Sequence, residues 1–282
     1  MSGDFLKRLA ATSALRVNAA KRREPEAALL RRASDTPPAP RLLIRPGGFE
    51  LIAEYKRRAP SIGTCGTGLD TGRSVRSQVD AYTQGGAAAI SVLTEPEEFG
   101  GSLADLSEAV RATHLPVMRK DFLVDPYQVL EARSMGAAGV LLILRILDDA
   151  SLRALLDAAT ETGLFVLLEA FDSADVSRAA TVAKWLEAWG PTMLVGVNAR
   201  DLNTLEPEHL RFERMTVPLP RHVPRVAESS LVSAHEIRNV TRLGYDAALV
   251  GTALMRAHDP ARLVADMIAA GRAERKASCV SA

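Results

Sequence analysis

Thiols are scarce in this chain: Cys65 and Cys279 are the only two cysteines in 282 residues. Neither has a partner at metal-ligand spacing, which excludes a disulfide framework and predicts reduced thiols. The five histidines (His114, His209, His222, His235, His258) are scattered and form no HExxH pair, so a histidine-ligated zinc site is not expected. Aromatic residues make up only 5%. Net charge is nearly absent, with 35 Lys and Arg against 34 Asp and Glu. That balance argues against a whole-chain grip on nucleic acid, leaving room only for a local anion site. No apolar run approaches the ~18 residues that span a bilayer, and no apolar signal core follows the basic N-terminus. The expectation is a soluble, cytoplasmic protein, a monomer or weak homodimer without nucleic-acid or membrane partners.

What is present is ordinary for a globular chain: 47% hydrophobic and 24% charged residues, enough for a sizeable core. Residues 1–45 stand apart as a helical extension. Positions 5–33 read as one helix with apolar Phe5, Leu6, Leu9, Leu15 and Val17, and DTPPAPR (35–41) ends it. From residue 50 the pattern alternates. Apolar, β-rich runs occur at 51–55, 88–93, 115–120, 139–144, 164–170, 193–198, 224–229 and 247–251. Helical periodicity fills 73–84, 103–112, 126–135, 148–162, 173–187, 233–243 and 259–271, with a weaker candidate at 206–215. The strand runs are apolar on both faces, as buried parallel strands are. Eight strands alternating with helices predict an α/β fold, a (β/α)8 TIM barrel over 46–272 with the N-terminal helical extension in front and a flexible tail at 273–282. A doubly wound sheet is the alternative, but no GxGxxG turn follows the first strand.

In such a barrel the reacting groups sit at the C-terminal strand ends. Here those ends interrupt apolar strands with charge: Glu54 and Lys56 after strand one, Lys120 after strand three, Glu169 on strand five, Asn198 on strand six, Glu228 and Ser229 on strand seven. One such residue would suit a stabilising ion pair. Five strands ending this way point to a catalytic site. The set offers two ammonium groups and several carboxylates but no Ser–His or Cys–His pair, which favours acid–base chemistry on an anionic substrate. Phosphate fits the turns at Ser229–Ser230 and Gly251–Thr252, after strands seven and eight.

These residues lie in motifs that resemble the indole-3-glycerol-phosphate synthase family over about residues 50–265. The motifs are, in order, IAEYKRRAPS (52–61), ISVLTEPEEFGGSL (90–103), RKDFLVDPYQV (119–129), LLEA (167–170), VNARDL (197–202), VAESS (226–230) and LVGTALMR (249–256). The resemblance implies ring closure of 1-(o-carboxyphenylamino)-1-deoxyribulose 5-phosphate, with loss of carbon dioxide and water, and no metal or organic cofactor. It implies that Lys120 is the general acid on the ketone oxygen and Glu169 the base in dehydration. Lys56 would contact the substrate's charged groups and share in proton transfer, and Glu54 would hold the ammonium groups and tune their pKa values. Asn198 and Ser229 would orient the substrate, with Glu228 supporting strand seven. Phe99 and Phe122 would form a slot for the aromatic ring. Ser61, Arg200, Glu228, Ser230, Gly251 and Thr252 complete the substrate-binding set, with Arg200 and the two turns around the phosphate. The extension resembles the family's extra segment over the barrel mouth.

The departures are specific. Ala59 stands where the family commonly has serine, Ser230 replaces a glycine, Ala199 replaces a residue that is often polar, and the loop 61–73 is unusually Gly-rich. All the acid–base residues remain, which predicts intact chemistry and leaves substrate choice open. The alternatives are a divergent paralogue for a substituted anthranilate sugar phosphate and a non-catalytic phosphate-binding barrel.

Overall fold

The computed structural model describes residues 2–59, 69, 72–186, 192–200, 210–216, 219–220 and 222–280. Two helices come first, α1 (Ser2–Arg23) and α2 (Glu26–Asp35). The single helix expected over 5–33 is broken at Pro25, whose extended ψ of 143° starts α2 afresh. Proline has no N–H to give and its ring clashes with the preceding turn. Leu6, Leu9 and Val17 are buried as expected, whereas Leu15 is 69% exposed.

Strand and helix then alternate: β1 (Glu50–Tyr55), α3 (Val75–Gln84), β2 (Ala89–Leu93), α4 (Leu103–Ala112), β3 (Val117–Lys120), α5 (Pro126–Ser134) and β4 (Gly139–Ile143). They continue with α6 (Asp149–Thr162), β5 (Phe165–Ala170), α7 (Ser173–Leu186), β6 (Met193–Asn198), α8 (Leu210–Thr216), β7 (Arg225–Glu228), α9 (Ala234–Arg242) and β8 (Ala247–Val250). The eight strands pair in sequence order, all parallel, and β8 closes on β1 with Glu50 opposite Ala247. This is the (β/α)8 barrel the alternation predicts, each strand lying within two residues of its expected bounds. Side-chain caps begin several helices: Ser74, Ser102, Asp125, Asp148 and Ser233 each accept a first-turn backbone N–H.

Strand parity sorts the core into two layers. Ile52, Ala89, Met118, Leu141, Leu167, Leu194, Val226, Ala247 and Leu249 fill the barrel interior. Alternate residues such as Leu51, Ala53, Val140 and Leu168 pack outward beneath the helices.

Two short helical pieces lie beyond the sequence reading. A 3₁₀ turn (Leu144–Ile146) follows β4, and α10 (Thr252–Arg256) follows β8. The last helix, α11 (Pro260–Val280), also differs from expectation: it continues through the segment read as a flexible tail. Arg275 there donates to Tyr245 O and Asp246, and Glu274 pairs with Arg242. These contacts hold the tail as helix.

Candidate active site

The same parity builds the site. One step above the apolar interior layer, the inward positions become Glu54 above Ile52, Lys120 above Met118, Glu169 above Leu167 and Glu228 above Val226. Asn198 stands two steps above Leu194. Five strands thus aim polar groups at one spot near the barrel axis, as the strand ends predict.

Lys120 is the hub. Its Nζ donates to Glu228 Oε2 at 3.2 Å and lies 3.5 Å from Glu54 Oε2 and 3.9 Å from Glu169 Oε1. Lys56 Nζ sits 2.5 Å from the other Glu54 oxygen. Asn198 Nδ2 donates to Glu169 Oε1 at 2.7 Å. Glycine makes room for this crowd: a Cβ on Gly251 would collide with Glu54 Oε1, and one on Gly196 with Glu228 Oε1.

The two lysines are driven in opposite directions. Burial would lower the Lys120 ammonium, but Glu228, Glu54 and Glu169 together hold it above the ordinary lysine range. Burial wins at Lys56: Glu54 offsets only part of it, while Lys120 and Arg200 repel, and its pKa is lowered. Burial would raise the Glu54 carboxyl, yet the two ammonium groups bring it down to about 2. The site therefore holds one ammonium that stays charged and one that gives up its proton more readily. Such separation marks acid–base work.

Above this cluster opens a cavity of about 340 Å³. It is lined by Glu54, Lys56, Lys120, Glu169 and Asn198, and at one end by Arg200, Ser229, Ser230, Gly251 and Thr252. Phe99 and Phe122 face each other across the opposite wall with ring centroids 6.2 Å apart. Ser229 and Ser230 are both left-handed, φ 69° and 60°. That conformation costs a non-glycine residue about 1–2 kcal/mol, so the turn is held against strain. Glu228 differs from the other candidates: it is fully buried and lies behind Lys120, outside the cavity wall. Ser61 falls outside the described residues, as does most of the 61–73 loop.

Sequence reasoning missed the residues that hold this site in place. Phe5 and Leu6 of α1 and Phe171 after β5 also line the cavity. Asp121, beside Lys120, is buried and accepts from Arg16 of α1 (2.8 Å), Thr94 (2.7 Å), Arg119 (3.2 Å) and the Phe122 N–H (2.8 Å). Buried Glu95 accepts three successive backbone N–H groups, Glu97 (2.9 Å), Glu98 (2.8 Å) and Phe99 (3.0 Å). The Phe99 carbonyl accepts from Arg58 N at 3.0 Å. The signals in the sequence are the adjacency of Asp121 to Lys120 and of Glu95 to the Phe99 loop, and the place of both residues inside the motifs at 119–129 and 90–103.

Fold and site together define an acid–base enzyme of the (β/α)8-barrel class, with its reacting groups at the C-terminal mouth. Two solved structures share the barrel at low identity, and they speak for the fold alone. A 3-hexulose-6-phosphate synthase from Salmonella typhimurium has TM-score 0.59 and 16% identity, over 80% of this chain and 99% of that one. A thiamine phosphate pyrophosphorylase from Pyrococcus furiosus has TM-score 0.54 and 14% identity, over 80% and 96%. Sequence comparison is more particular. The family profile for indole-3-glycerol phosphate synthase matches residues 6–267. A protein of that name from Parafrankia sp. is 41% identical over 256 residues, 90% of this chain and 91% of the relative. One from Nocardioides sp. is 44% identical over 226 residues, 80% and 82%. The chain belongs to the indole-3-glycerol phosphate synthase family.

Proposed function

We propose that this chain is a carboxy-lyase of tryptophan biosynthesis. It closes the ring of 1-(o-carboxyphenylamino)-1-deoxyribulose 5-phosphate and releases carbon dioxide and water to give indole-3-glycerol phosphate. The observation that carries this reading is the Lys120 ammonium, ringed by Glu54, Glu169 and Glu228, at the floor of a cavity with an aromatic wall at one side and a turn region at the other.

In this reading the aromatic ring lies between Phe99 and Phe122, and the phosphate meets Ser229, Ser230, Gly251, Thr252 and Arg200. Barrel enzymes commonly bind phosphate with the loops after strands seven and eight and a short extra helix, the position of α10 here. As the aromatic carbon attacks the ketone, negative charge grows on the ketone oxygen. Lys120 protonates it. An ammonium held so firmly charged gives its proton only to a strongly basic atom, and a developing alkoxide is one. Lys56 faces the substrate carboxylate, and Glu54 keeps both ammonium groups in place. Glu169, its Oε1 occupied by Asn198, takes the proton released in dehydration.

The substrate is a charged sugar phosphate that does not cross membranes unaided, which supports a cytoplasmic enzyme. Among the described residues no helix is long and apolar enough to cross a membrane. A monomer or weak homodimer with a small-molecule partner and no nucleic acid completes the proposal. The test is turnover of the carboxyphenylamino sugar phosphate by the purified chain, followed by indole fluorescence. Tight product binding without turnover would overturn the proposal in favour of a binding barrel.

A further inference from the structure

Proton counting in this reaction exposes a shortage. One proton goes to the ketone oxygen as the carbon–carbon bond forms. A second goes to the resulting hydroxyl so that it departs as water. One is lost from the neighbouring carbon to the base as the indole double bond forms. The carboxylate leaves as neutral carbon dioxide, so each turnover takes up one proton net. Lys120 transfers one proton at a time, and Glu169 must be free to accept one. Lys120 must be reprotonated within the turnover, or Lys56 must donate the second proton from the other side of Glu54.

Glu228 is placed to reprotonate Lys120. It is fully buried, and its Oε2 accepts from Lys120 Nζ at 3.2 Å. Its Oε1 is buried and has no hydrogen-bond partner among the described residues, and it lies against Gly196 of β6. An anionic oxygen with no donor is a costly thing to bury, whereas the hydroxyl of a neutral acid in the same place costs far less. The surrounding charges agree. Glu54 from β1 and Glu169 from β5 share Lys120 with Glu228, and Lys56 is held by Glu54. Asn198 from β6 is uncharged and is engaged by Glu169. Glu169 and Glu54 disfavour a charge on Glu228 and Lys120 favours one, while the Arg200 cation bears on Lys56 at the far side of Glu54.

We propose that Glu228 is the proton reserve of the site: a neutral carboxylic acid behind Lys120 that reprotonates its Nζ after Lys120 has protonated the ketone oxygen. The proposal rests on the acid and base assigned above. In the step, the Glu228 O–H bond breaks and an Nζ–H bond forms on the neutral amine, leaving Glu228 as a carboxylate. Lys120, again an ammonium, protonates the leaving hydroxyl. Glu169 ends as the acid, and its proton with one from solvent restores the starting state. Two protons are delivered and one recovered, which matches the net uptake. Glu228 acts through Lys120 and does not touch the substrate. Burial, with Glu169 and Glu54 adding and Lys120 opposing, pushes the Glu228 carboxyl up to about 8, so it carries its proton at neutral pH. Glu54 and Glu169 are then the charges that keep Lys120 an ammonium, and Glu228 joins them on ionising.

The test is Glu228→Gln, which is neutral, nearly isosteric with the acid and still able to accept from Lys120. Expected are a KM within about twofold of wild type and a kcat lower by roughly tenfold or more, since acid help is lost. The wild-type rate should fall as pH rises through about 8, and the variant should lack that limb. Glu228→Asp should recover part of kcat. Independently of turnover, the infrared spectrum of the free wild-type enzyme in D2O at neutral pH should show a protonated-carboxyl C=O band that Glu228→Gln lacks. An unchanged kcat in Glu228→Gln, a rise in KM alone, or absence of the band overturns the proposal. A wild-type rate in Lys120→Met would instead overturn the acid assignment, and the band would persist in that case.

Discussion

Asn198 Nδ2 donates to Glu169 Oε1 at 2.7 Å, and Asn198 Oδ1 accepts from the Arg200 backbone N–H at 2.9 Å. The N–H donor fixes which way the amide points, so Asn198 presents its NH2 to the carboxylate. One Glu169 oxygen is thereby occupied at the strand end where the base is proposed to work. Asn198→Asp should put two carboxylates face to face, so that one proton is shared between them and the proposed base is blocked, and lower kcat at neutral pH by about tenfold or more. The rate should recover partly as pH rises, a trend that a full pH profile of kcat would show.

Lys120→Met removes the ammonium while keeping most of the side-chain volume. The loss of the general acid should lower kcat by ~10²–10⁴-fold. Product binding by calorimetry should change little, because the phosphate and ring ends of the cavity are untouched. The variant also leaves Glu54, Glu169 and Glu228 without their shared cation.

Asp121 is the buried anchor between α1 and the Lys120 strand. Burial works against its charge, but Arg119 and Arg16 win and hold its carboxyl down to about 2, from an ordinary 3.8. A depressed folded-state pKa contributes stability that is complete above the unfolded value and is lost as pH falls toward the folded one. The contribution is about 2 kcal/mol and should vanish between pH 4 and pH 2. Asp121→Asn leaves Arg16 and Arg119 facing a neutral amide and should cost roughly 3 kcal/mol at pH 7. Urea unfolding at pH 7, 4 and 3 should give a shallower pH dependence for the variant than for the wild type.

Parity explains how much of this was legible beforehand. Ile52, Met118, Leu167 and Val226 are apolar, and two residues later stand Glu54, Lys120, Glu169 and Glu228. A period of two along a strand puts each pair on one face, so a single sequence suffices to aim those groups into the barrel. The extension was less legible. The apolar spacing of residues 5–33 outweighed Pro25, although a proline inside a helical pattern is a stop signal. The roles of Asp121 and Glu95 were hidden for a different reason. Asp121 takes its meaning from Arg16, 105 residues away, and Glu95 from a backbone turn whose N–H groups converge only once folded. Charges that act on distant or main-chain partners leave no periodic trace.

Glu95 should control the aromatic wall without touching the acid–base cluster. Its carboxylate gathers the N–H groups of Glu97, Glu98 and Phe99 into one tight turn. Removing an acceptor that satisfies three successive backbone donors frees the turn and lets Phe99 drift from Phe122. Glu95→Ala should therefore raise KM several-fold or more, by about the 1–3 kcal/mol of a charged hydrogen-bond set partly replaced by water. The effect on kcat should be smaller, since the ring slot binds ground and transition states alike. A loss in kcat with unchanged KM would place Glu95 in the chemistry instead.

Ser230 tests whether the strained turn serves the phosphate through its backbone or through the side chain. Its φ of 60° lies where glycine is at ease and serine is not. Ser230→Gly relieves about 1–2 kcal/mol of strain but adds freedom to the unfolded chain, which returns ~0.4–1 kcal/mol. The balance should raise the melting temperature by about 2–4 °C. Ser230→Ala keeps the strain and removes the hydroxyl. If that hydroxyl donates to the phosphate, Ser230→Ala should raise KM by up to ~1.5–3 kcal/mol, the worth of a hydrogen bond to a charged group. The change in kcat should be smaller, because a remote phosphate is held equally before and during reaction. The pair of variants separates the two contributions: KM rising in both assigns the phosphate contact to the hydroxyl. A KM that holds in both leaves the contact to the backbone N–H groups of the left-handed turn, with Ser230 serving only as a tolerated replacement for glycine.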